Sequence, residues 1–221
     1  EPIEDSAVSL AADPVRGYVY VTGLSANTSG NWDILTIRYT YGGDSHSRRF
    51  SFQSGVDDVP CGLAISSTVG TIYIGATTED ALGILAYDNE FTFRWSRVYE
   101  EFSDPVAAAL ALRPDANPPE VYLAATVDDP QDFALVKYPS TLDGPLWSQT
   151  YGFGDGSQDA AAGLLVDQTG AAYFFGKTDT TDAGNDWDAG IAKFDGDGNL
   201  IWHCQYGHQY GGQDLALAGT Q

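Results

Sequence analysis

Short apolar runs separated by polar turns recur along the whole chain in a fixed order. Each repeat opens on an Asp and continues with a run of small aliphatic residues, a run rich in Tyr and Val, a third run, and a fourth run that carries a large aromatic residue. The opening residues, spaced 46 to 55 positions apart, are Asp5, Asp58, Asp104, Asp159 and Asp214. Apolar and polar residues alternate within the runs, which predicts strands, and no stretch has the spacing of an amphipathic helix.

Four strands per repeat and several repeats are typical of a β-propeller, in which each repeat forms one blade. We predict an all-β propeller in a single domain over 1–221, with repeats of about 52 residues at 5–57, 58–103, 104–158 and 159–213. Residues 214–221, with Leu215 and Leu217, match only the first strand of a fifth repeat. This surplus strand would belong to a longer propeller, displace or flank the N-terminal strand, or pair with the open edge of a neighbouring molecule.

The repeat also resembles a known family. The order of Asp, Gly, Tyr, Lys and Trp along the repeat is similar to that of the SBBP-type (seven-bladed β-propeller) repeat of secreted and cell-surface bacterial proteins. The resemblance covers nearly the whole chain and implies a fold and a cell-surface setting without an attached activity. It is carried most fully by the fourth repeat, at Gly170, Tyr173, Gly176, Asp188, Lys193, Phe194, Asp195, Gly198, Trp202, Tyr206 and Gly207.

One aromatic position recurs in the fourth strands. The alignment places Phe50, Trp95, Trp147 and Trp202 at one equivalent position. Because propeller blades pack face to face, we predict that all four side chains are buried between neighbouring blades.

The charge balance restricts the partners. The chain has 31 acidic and 10 basic residues and a net charge of −21, which repels nucleic acid and anionic lipid surfaces. No apolar run reaches the length of a membrane span, so membrane insertion is not expected either. The chain starts at Glu1 without Met, and we expect a processed product or an excerpt. These features favour an extracellular or cell-surface protein, and Asn27 begins a sequon for N-glycosylation.

The loops before the third strands are candidate ligand-binding loops. Trp beside Asp or Asn is a combination that binds sugars, because the indole stacks on a sugar face while the polar groups bond its hydroxyls. Alternatively, the Trp caps the sheet edge and the Asp fixes the turn, and recurrence at equivalent positions favours this structural role. The candidate residues are Asn31, Trp32, Asp33, Asp129, Asp132, Asp186, Trp187 and Asp188.

Metal sites have weak support in the sequence. Asp195, Asp197 and Asn199 have the spacing that opens a calcium loop, but the Gly and Glu that such a loop needs further on are absent; the same residues suit a hairpin turn. His203, Cys204 and His208 could suggest zinc, yet neighbours on a strand point to opposite faces. We therefore expect no cofactor, with calcium as the remaining alternative.

The cysteines and the acidic residues give little support for catalysis. Cys61 and Cys204 fall on a first and a fourth strand two repeats apart, too distant for a disulfide, so we interpret them as small buried residues. No nucleophile or phosphate-binding motif occurs. The sequence thus favours a non-catalytic extracellular scaffold whose partners are itself or other extracellular proteins. A carbohydrate-binding propeller that uses the Trp/Asp loops is the alternative, and a polysaccharide-acting enzyme comes third.

Overall fold

The structure, a computed structural model, describes residues 5–128, 131–140, 144–154, 156–179 and 187–207. These residues form sixteen strands and no helix. The strands are β1 Asp5–Asp13, β2 Tyr18–Ala26, β3 Trp32–Thr40, β4 Ser45–Phe50, β5 Asp58–Ile65, β6 Ile72–Thr78, β7 Ala81–Tyr87, β8 Phe93–Tyr99, β9 Val106–Leu112, β10 Glu120–Val127, β11 Asp132–Pro139, β12 Trp147–Tyr151, β13 Gln158–Val166, β14 Ala172–Asp179, β15 Asp188–Phe194 and β16 Leu200–Tyr206.

Consecutive strands pair in four antiparallel sheets of four strands each, which we call blades 1 to 4. This confirms the predicted all-β repeat of four strands. The chain divides into two compact units, residues 1–101 with blades 1 and 2 and residues 102–221 with blades 3 and 4. The prediction of one domain over the whole chain stays a prediction, and the surplus strand with Leu215 and Leu217 lies outside the described residues.

The turn between the third and fourth strands, here called the 3–4 turn, has one geometry in three blades. The backbone amide of its first residue donates a hydrogen bond to the carbonyl of the fifth residue. The carbonyl of the first residue accepts one from the amide of the fourth, and all these distances are 2.8–3.1 Å. The fourth residue has a positive φ, which glycine adopts without strain. The three turns are Thr40–Asp44, Asp88–Thr92 and Asp195–Asn199, and their fourth residues are Gly43, Phe91 and Gly198.

Each first strand contains a β-bulge at the same place. The register with the second strand shifts at one unpaired residue in every blade, and these residues are Val8, Cys61, Ala108 and Ala162. A bulge increases the local twist of a strand. The period-2 pattern of the first runs is therefore interrupted by one residue in all four repeats.

In each unit the two blades pack face to face over an apolar core. Tyr20 and Ile34 of blade 1 meet Ile74 and Leu85 of blade 2 in unit 1. The core of unit 2 contains Tyr122, Phe133 and Leu135 of blade 3 and Ala172, Phe174 and Phe194 of blade 4. We call the face with which the first blade contacts the second the forward face. The face with which the second blade contacts the first is the rear face. The same register positions define both faces in every blade.

The forward face of each blade carries a row of three residues that pair across strands two, three and four. The blade rows are, in order, Tyr20–Arg38–His46, Tyr73–Ala86–Trp95, Tyr122–Lys137–Trp147 and Tyr173–Lys193–Trp202.

The predicted equivalence of Phe50 with the three tryptophans is therefore wrong. Phe50 pairs with Ile34 and occupies the position of Tyr99, whereas His46 stands where the tryptophans stand. The reason is that β4 is otherwise polar, so the apolar pattern of the fourth run points to its last residue instead of its second.

The predicted burial of this position holds in part. Trp95 is 9% exposed, and Trp147 is half-buried in the core of unit 2. Trp202 is 40% exposed, which corrects the prediction that it is buried. Among the described residues of unit 2, no sheet lies against the forward face of blade 4.

Candidate functional site

Three of the candidate aspartates share one position at the start of the third strand. Asp33 pairs with Ser25, Asp132 with Val127 and Asp188 with Thr178, all at the same register, while blade 2 has Ala81 there. The structure thus confirms that these residues recur at equivalent positions. It places them in separate blades, where each belongs to its own loop.

In blade 1 the Asp33 carboxylate is buried and already paired. It accepts a hydrogen bond from the Arg49 guanidinium at 3.1 Å and one from the Asn27 amide at 3.0 Å. Arg49 also donates to the Ser25 carbonyl at 2.7 Å. Asp33 therefore ties the third strand to the fourth.

The neighbouring candidates hold the link from blade 1 to blade 2. The Asn31 side chain donates to the Gly55 carbonyl at 3.1 Å, and the Trp32 backbone amide donates to Asp57 at 2.8 Å. The Trp32 indole remains half-buried. The polar groups of this loop are thus used within unit 1, and only the indole stays available to a ligand.

Blade 4 repeats the arrangement with different side chains. Asp188 accepts a hydrogen bond from the Gln205 side chain at 2.7 Å, and Gln205 occupies the position that Arg49 has in blade 1. The Lys177 ammonium lies 3.8 Å from the centroid of the Trp187 ring, a cation–π contact that covers one ring face. Asp186 lies outside the described residues.

In blade 3 the candidate Asp132 faces Asp159 of blade 4. Burial raises the pKa of Asp132, and the negative charge of Asp159 raises it further. A side chain on Gly152 would overlap the Asp132 carboxylate, so the glycine leaves room for it. Asp129 lies outside the described residues.

The repeat-opening aspartates have a role that the sequence did not reveal. Asp58 and Asp159 are fully buried, and each accepts a hydrogen bond from a backbone amide that follows the fourth strand of the preceding blade, Phe52 at 3.0 Å and Phe153 at 2.9 Å. They fasten one blade to the next. Asp104 departs from this pattern. In blade 3 Val106 pairs with Thr126, which puts Asp104 one residue before the register position that Asp58 and Asp159 occupy in their blades.

We expect the pH dependence of Asp159 to oppose that of Asp195. Burial raises the pKa of Asp159, whereas hydrogen bonds from Asn199 and Asp197 lower that of Asp195. A raised folded-state pKa gives stability that is present below the unfolded pKa and lost as the pH rises through the folded one; a lowered pKa gives the reverse.

Relative to Asp159→Asn, the wild type should therefore lose stability as the pH rises above about 3.8. Relative to Asp195→Asn, it should lose stability as the pH falls below that value. Urea unfolding of the three proteins between pH 3 and 7 measures both differences. Parallel profiles for the two substitutions would contradict the assignment.

The proposed calcium residues form the 3–4 turn of blade 4. One Asp195 carboxylate oxygen accepts from the backbone amides of Asp197 and Asn199, both at 2.9 Å, and the other accepts from the Asn199 side chain at 3.0 Å. The turn thus uses the oxygens that a cation would need. Among the described residues, no three His, Cys, Asp or Glu side chains converge on a point where a metal could bind.

His203 and Cys204 lie on opposite faces of β16, as strand alternation predicts. His203 contacts the rings of Tyr151 and Phe153 on the rear side, with centroids 5.5 and 5.9 Å apart. Cys204 is exposed and on the forward side, so the prediction of a buried thiol is wrong for it; His208 lies outside the described residues. Cys61 is also free, and burial raises the pKa of its thiol to about 12.

The sequon residue Asn27 is part of a turn. Its side-chain oxygen accepts from the amides of Ser29 and Asn31 at 2.9 and 3.1 Å, and its side-chain nitrogen donates to Asp33. Glycosylation at that nitrogen would leave one proton for the bond to Asp33. The turn and a glycan therefore require the same side-chain nitrogen of Asn27.

We expect the melting temperature to rise with salt. The net charge of −21 makes self-repulsion a general destabilising contribution, which added ions screen. Melting curves from low salt to about 1 M NaCl measure it, with CaCl₂ and MgCl₂ compared at matched ionic strength. An unchanged melting temperature contradicts this explanation, and a calcium effect much larger than that of magnesium indicates a specific site.

A surface that the sequence did not predict lies on the forward face of blade 4. In blade 3 the row donates three hydrogen bonds to blade 4: Tyr122 to the Gly170 carbonyl, and both Lys137 and Trp147 to the Gly196 carbonyl, all at 3.0 Å. The blade 4 row has the same three residue types but faces no sheet among the described residues of unit 2. The available signal in the sequence was the recurrence of Tyr, Lys and Trp in the fourth repeat. The prediction that the tryptophan is buried in every repeat kept this signal from being used.

Comparison with known proteins supports the fold class. No protein-family model and no curated protein sequence matches the chain. A protein of unknown function from Dyadobacter fermentans is similar in structure, with a TM-score of 0.57 and 13% identity over 91% of this chain and 69% of that one. The Dos1 propeller is similar as well, with a TM-score of 0.59 and 10% identity over 93% and 62%. The chain thus has a β-propeller fold and spans about two thirds of the length of these proteins.

Proposed function

We propose that this protein is a non-catalytic extracellular scaffold of the SBBP type, which joins other molecules through the blade at the C-terminal end of the described structure. The observation that carries the proposal is the forward face of blade 4. It has the residues with which blade 3 holds blade 4, and it leaves Trp202 40% exposed. The surplus strand with Leu215 and Leu217 would complete the contact by pairing with an open edge of the partner.

An exposed aromatic side chain extends this surface along β16. Tyr206 lies on the same face of the strand as Trp202 and is 68% exposed. Large exposed apolar side chains grouped on one strand are a feature of interaction sites, whereas isolated ones are ordinary. The polar groups of the Trp/Asp loops are largely occupied within their own units, so they offer less to a partner.

Two properties support an extracellular setting. The net charge of −21 disfavours nucleic acid and anionic membranes as partners. The second is the resemblance to a repeat of secreted and cell-surface proteins. Itself and other extracellular proteins are the proposed partners.

The test compares residues 1–221 with a version that ends at Gln213. If the surplus strand joins molecules, the longer chain forms oligomers or fibres in light scattering and negative-stain microscopy, and the shorter one forms fewer. If both versions stay monomeric at high concentration, and neither binds an extracellular protein in a surface-protein binding screen, the scaffold proposal fails.

Carbohydrate binding is the second candidate function. The observation in its favour is that Trp32 and Trp187 are both half-buried, each immediately before the Asp at the start of a third strand. A glycan array with the wild type tests it, and Trp32→Ala and Trp187→Ala identify the ring that binds. Phe93→Ala, which removes another exposed ring, serves as the control. An array without any signal excludes this candidate.

A further inference from the structure

We propose that the blade 4 row, Tyr173–Lys193–Trp202, binds the 3–4 turn of blade 1, Thr40–Asp44, in a second copy of this chain. The proposal rests on the scaffold function and names the partner of the same surface. The contact would be head to tail, since the row and the turn belong to different blades.

The first support is the junction inside unit 2. There the blade 3 row contacts the two turns of blade 4 through three hydrogen bonds to two carbonyl oxygens, those of Gly170 and Gly196. The Trp147 ring lies against the 3–4 turn of blade 4, so that a side chain on Gly198 would come within 2.9 Å of it. A row of this composition is therefore a binding surface for a 3–4 turn.

The blade 4 row already has the arrangement of the blade 3 row. The Tyr and Trp ring centroids are 6.1 Å apart in blade 4 and 6.0 Å apart in blade 3. The Lys ammonium lies 4.6 Å from the Tyr ring centroid in blade 4 and 5.2 Å in blade 3. Little ordering is needed on binding, which favours affinity.

The 3–4 turn of blade 1 is a matching partner. Its two hydrogen bonds, at 2.8 and 3.0 Å, reproduce those of the blade 4 turn at 2.9 and 3.1 Å. Gly43 has a φ of 95° and Gly198 one of 86°. Apart from the two neighbouring residues, no residue has an atom within 4 Å of the place where a side chain on Gly43 would start, and Tyr41 in the same turn is 64% exposed.

The large side chain at the end of the blade 4 row favours this turn over the 3–4 turn of blade 2. In unit 1 the row ends in His46 instead of Trp, and the turn that packs on it carries Phe91, whose ring lies 5.9 Å from the His46 ring. Where the row ends in Trp147, the turn has Gly198. A row that ends in Trp202 therefore requires glycine at the fourth position of the turn. Of the three 3–4 turns of this geometry, those with Gly43 and Gly198 meet the requirement, and Gly198 is already in contact with Trp147.

Charge and shape agree with this pairing. The forward face of blade 4 carries Lys177 and Lys193, two of the three lysines in the chain, and the blade 1 turn ends in Asp44. The rear face of blade 1 has a cavity of about 240 Å³ lined by Val21, Leu35 and other residues. Val21 stands where blade 4 has the larger Phe174, which leaves room for side chains from an incoming blade.

The test is sedimentation velocity of the full chain over a range of concentrations. Wild type is expected to self-associate. Trp202→Ala should weaken association at least about tenfold, because tryptophans at interface centres contribute strongly. Gly43→Ala should do the same, because the added methyl group would meet the Trp202 ring.

Each variant has a matched control. Ile201→Ala removes an exposed apolar side chain next to Trp202, at the irregular pairing of β15 with β16. Gly30→Ala adds a methyl group at another exposed turn of blade 1, where the glycine has a φ of 89° and only its two neighbouring residues have atoms within 4 Å of the new methyl group. Both controls should associate as wild type does, and melting curves show whether all four variants are folded.

A mixing experiment establishes the head-to-tail geometry. Trp202→Ala keeps its turn and Gly43→Ala keeps its row, so each should be monomeric alone while their mixture forms a 1:1 complex and grows no further. In that complex Cys204 of the Gly43→Ala variant should react more slowly with a maleimide, and Cys61, with its raised pKa, should remain unreactive.

Three results would overturn the proposal. Wild type remains monomeric at every concentration; association survives both Trp202→Ala and Gly43→Ala; or the two variants fail to complement each other. If association is lost only when the chain ends at Gln213, the surplus strand joins the molecules, and the scaffold function stands without this contact. A wild type that neither associates nor binds another extracellular protein fails both proposals.

Discussion

Trp147→Ala is expected to lower the free energy of unfolding by about 2–3 kcal/mol, and Trp202→Ala by less than about 1 kcal/mol. The two residues occupy the same place in the blade rows and pair with lysines of the third strand. Trp147 is half-buried, donates to Gly196 at 3.0 Å and contacts the Tyr122 ring. Trp202 contacts the Tyr173 ring of its own blade, with centroids 6.1 Å apart, and is 40% exposed.

Urea unfolding of both variants, followed by circular dichroism at a concentration where the proteins are monomeric, measures the difference. Each substitution removes the same atoms from the same type of strand, so intrinsic strand preference cancels. Equal losses for the two variants would mean that the interblade junction contributes nothing at this position, and the account of the row would be wrong.

Gly198→Phe is expected to destabilise the protein by about 3 kcal/mol or more, because a ring would have to enter the space that Trp147 fills. Gly198 is buried, and even a methyl group there would approach the indole to 2.9 Å. The same turn position tolerates Phe91 in blade 2, where the facing row ends in His46 and the two rings lie 5.9 Å apart. Clash with the indole, more than the positive φ, is therefore the cause.

The combination of Gly198→Phe with Trp147→His should recover part of this loss. It installs the pair that joins blades 1 and 2 at the junction of blades 3 and 4, and we expect the double variant to be at least about 1 kcal/mol more stable than the sum of the single effects. Gly43→Phe is the control, since Gly43 is exposed and only its two neighbouring residues have atoms within 4 Å of an added side chain. The loss of stability should therefore come from the turn alone. Additive effects in the double-mutant cycle would argue against direct contact.

The fold class could be predicted from the sequence because its signals are local. Each run alternates over a strand length, and glycines and aspartates mark the turns between runs. The repeat period then supplied the blade. Asp33, Asp132 and Asp188 were grouped correctly for the same reason, since their position relative to the third strand is fixed within one hairpin.

The function of these residues could not be predicted, because it depends on partners distant in sequence. Asp33 reaches Arg49 and Asp188 reaches Gln205 across the sheet, and the composition of a loop does not show whether its carboxylates are already bonded. The mistaken alignment of Phe50 has a different origin. Matching by apolar character passed over His46, a polar residue that occupies an aromatic position.

The fit between a row and the turn that follows it has a consequence for how such chains change over evolution. His46 with Phe91 and Trp147 with Gly198 are pairs whose members belong to successive blades, so a copied or exchanged blade brings one member of each pair and leaves the other behind. Gene duplication that respected the blade boundaries would create mismatched junctions. Copying of a segment that runs from the fourth strand of one blade through the 3–4 turn of the next would keep each pair intact. Natural recombination points should therefore fall inside blades.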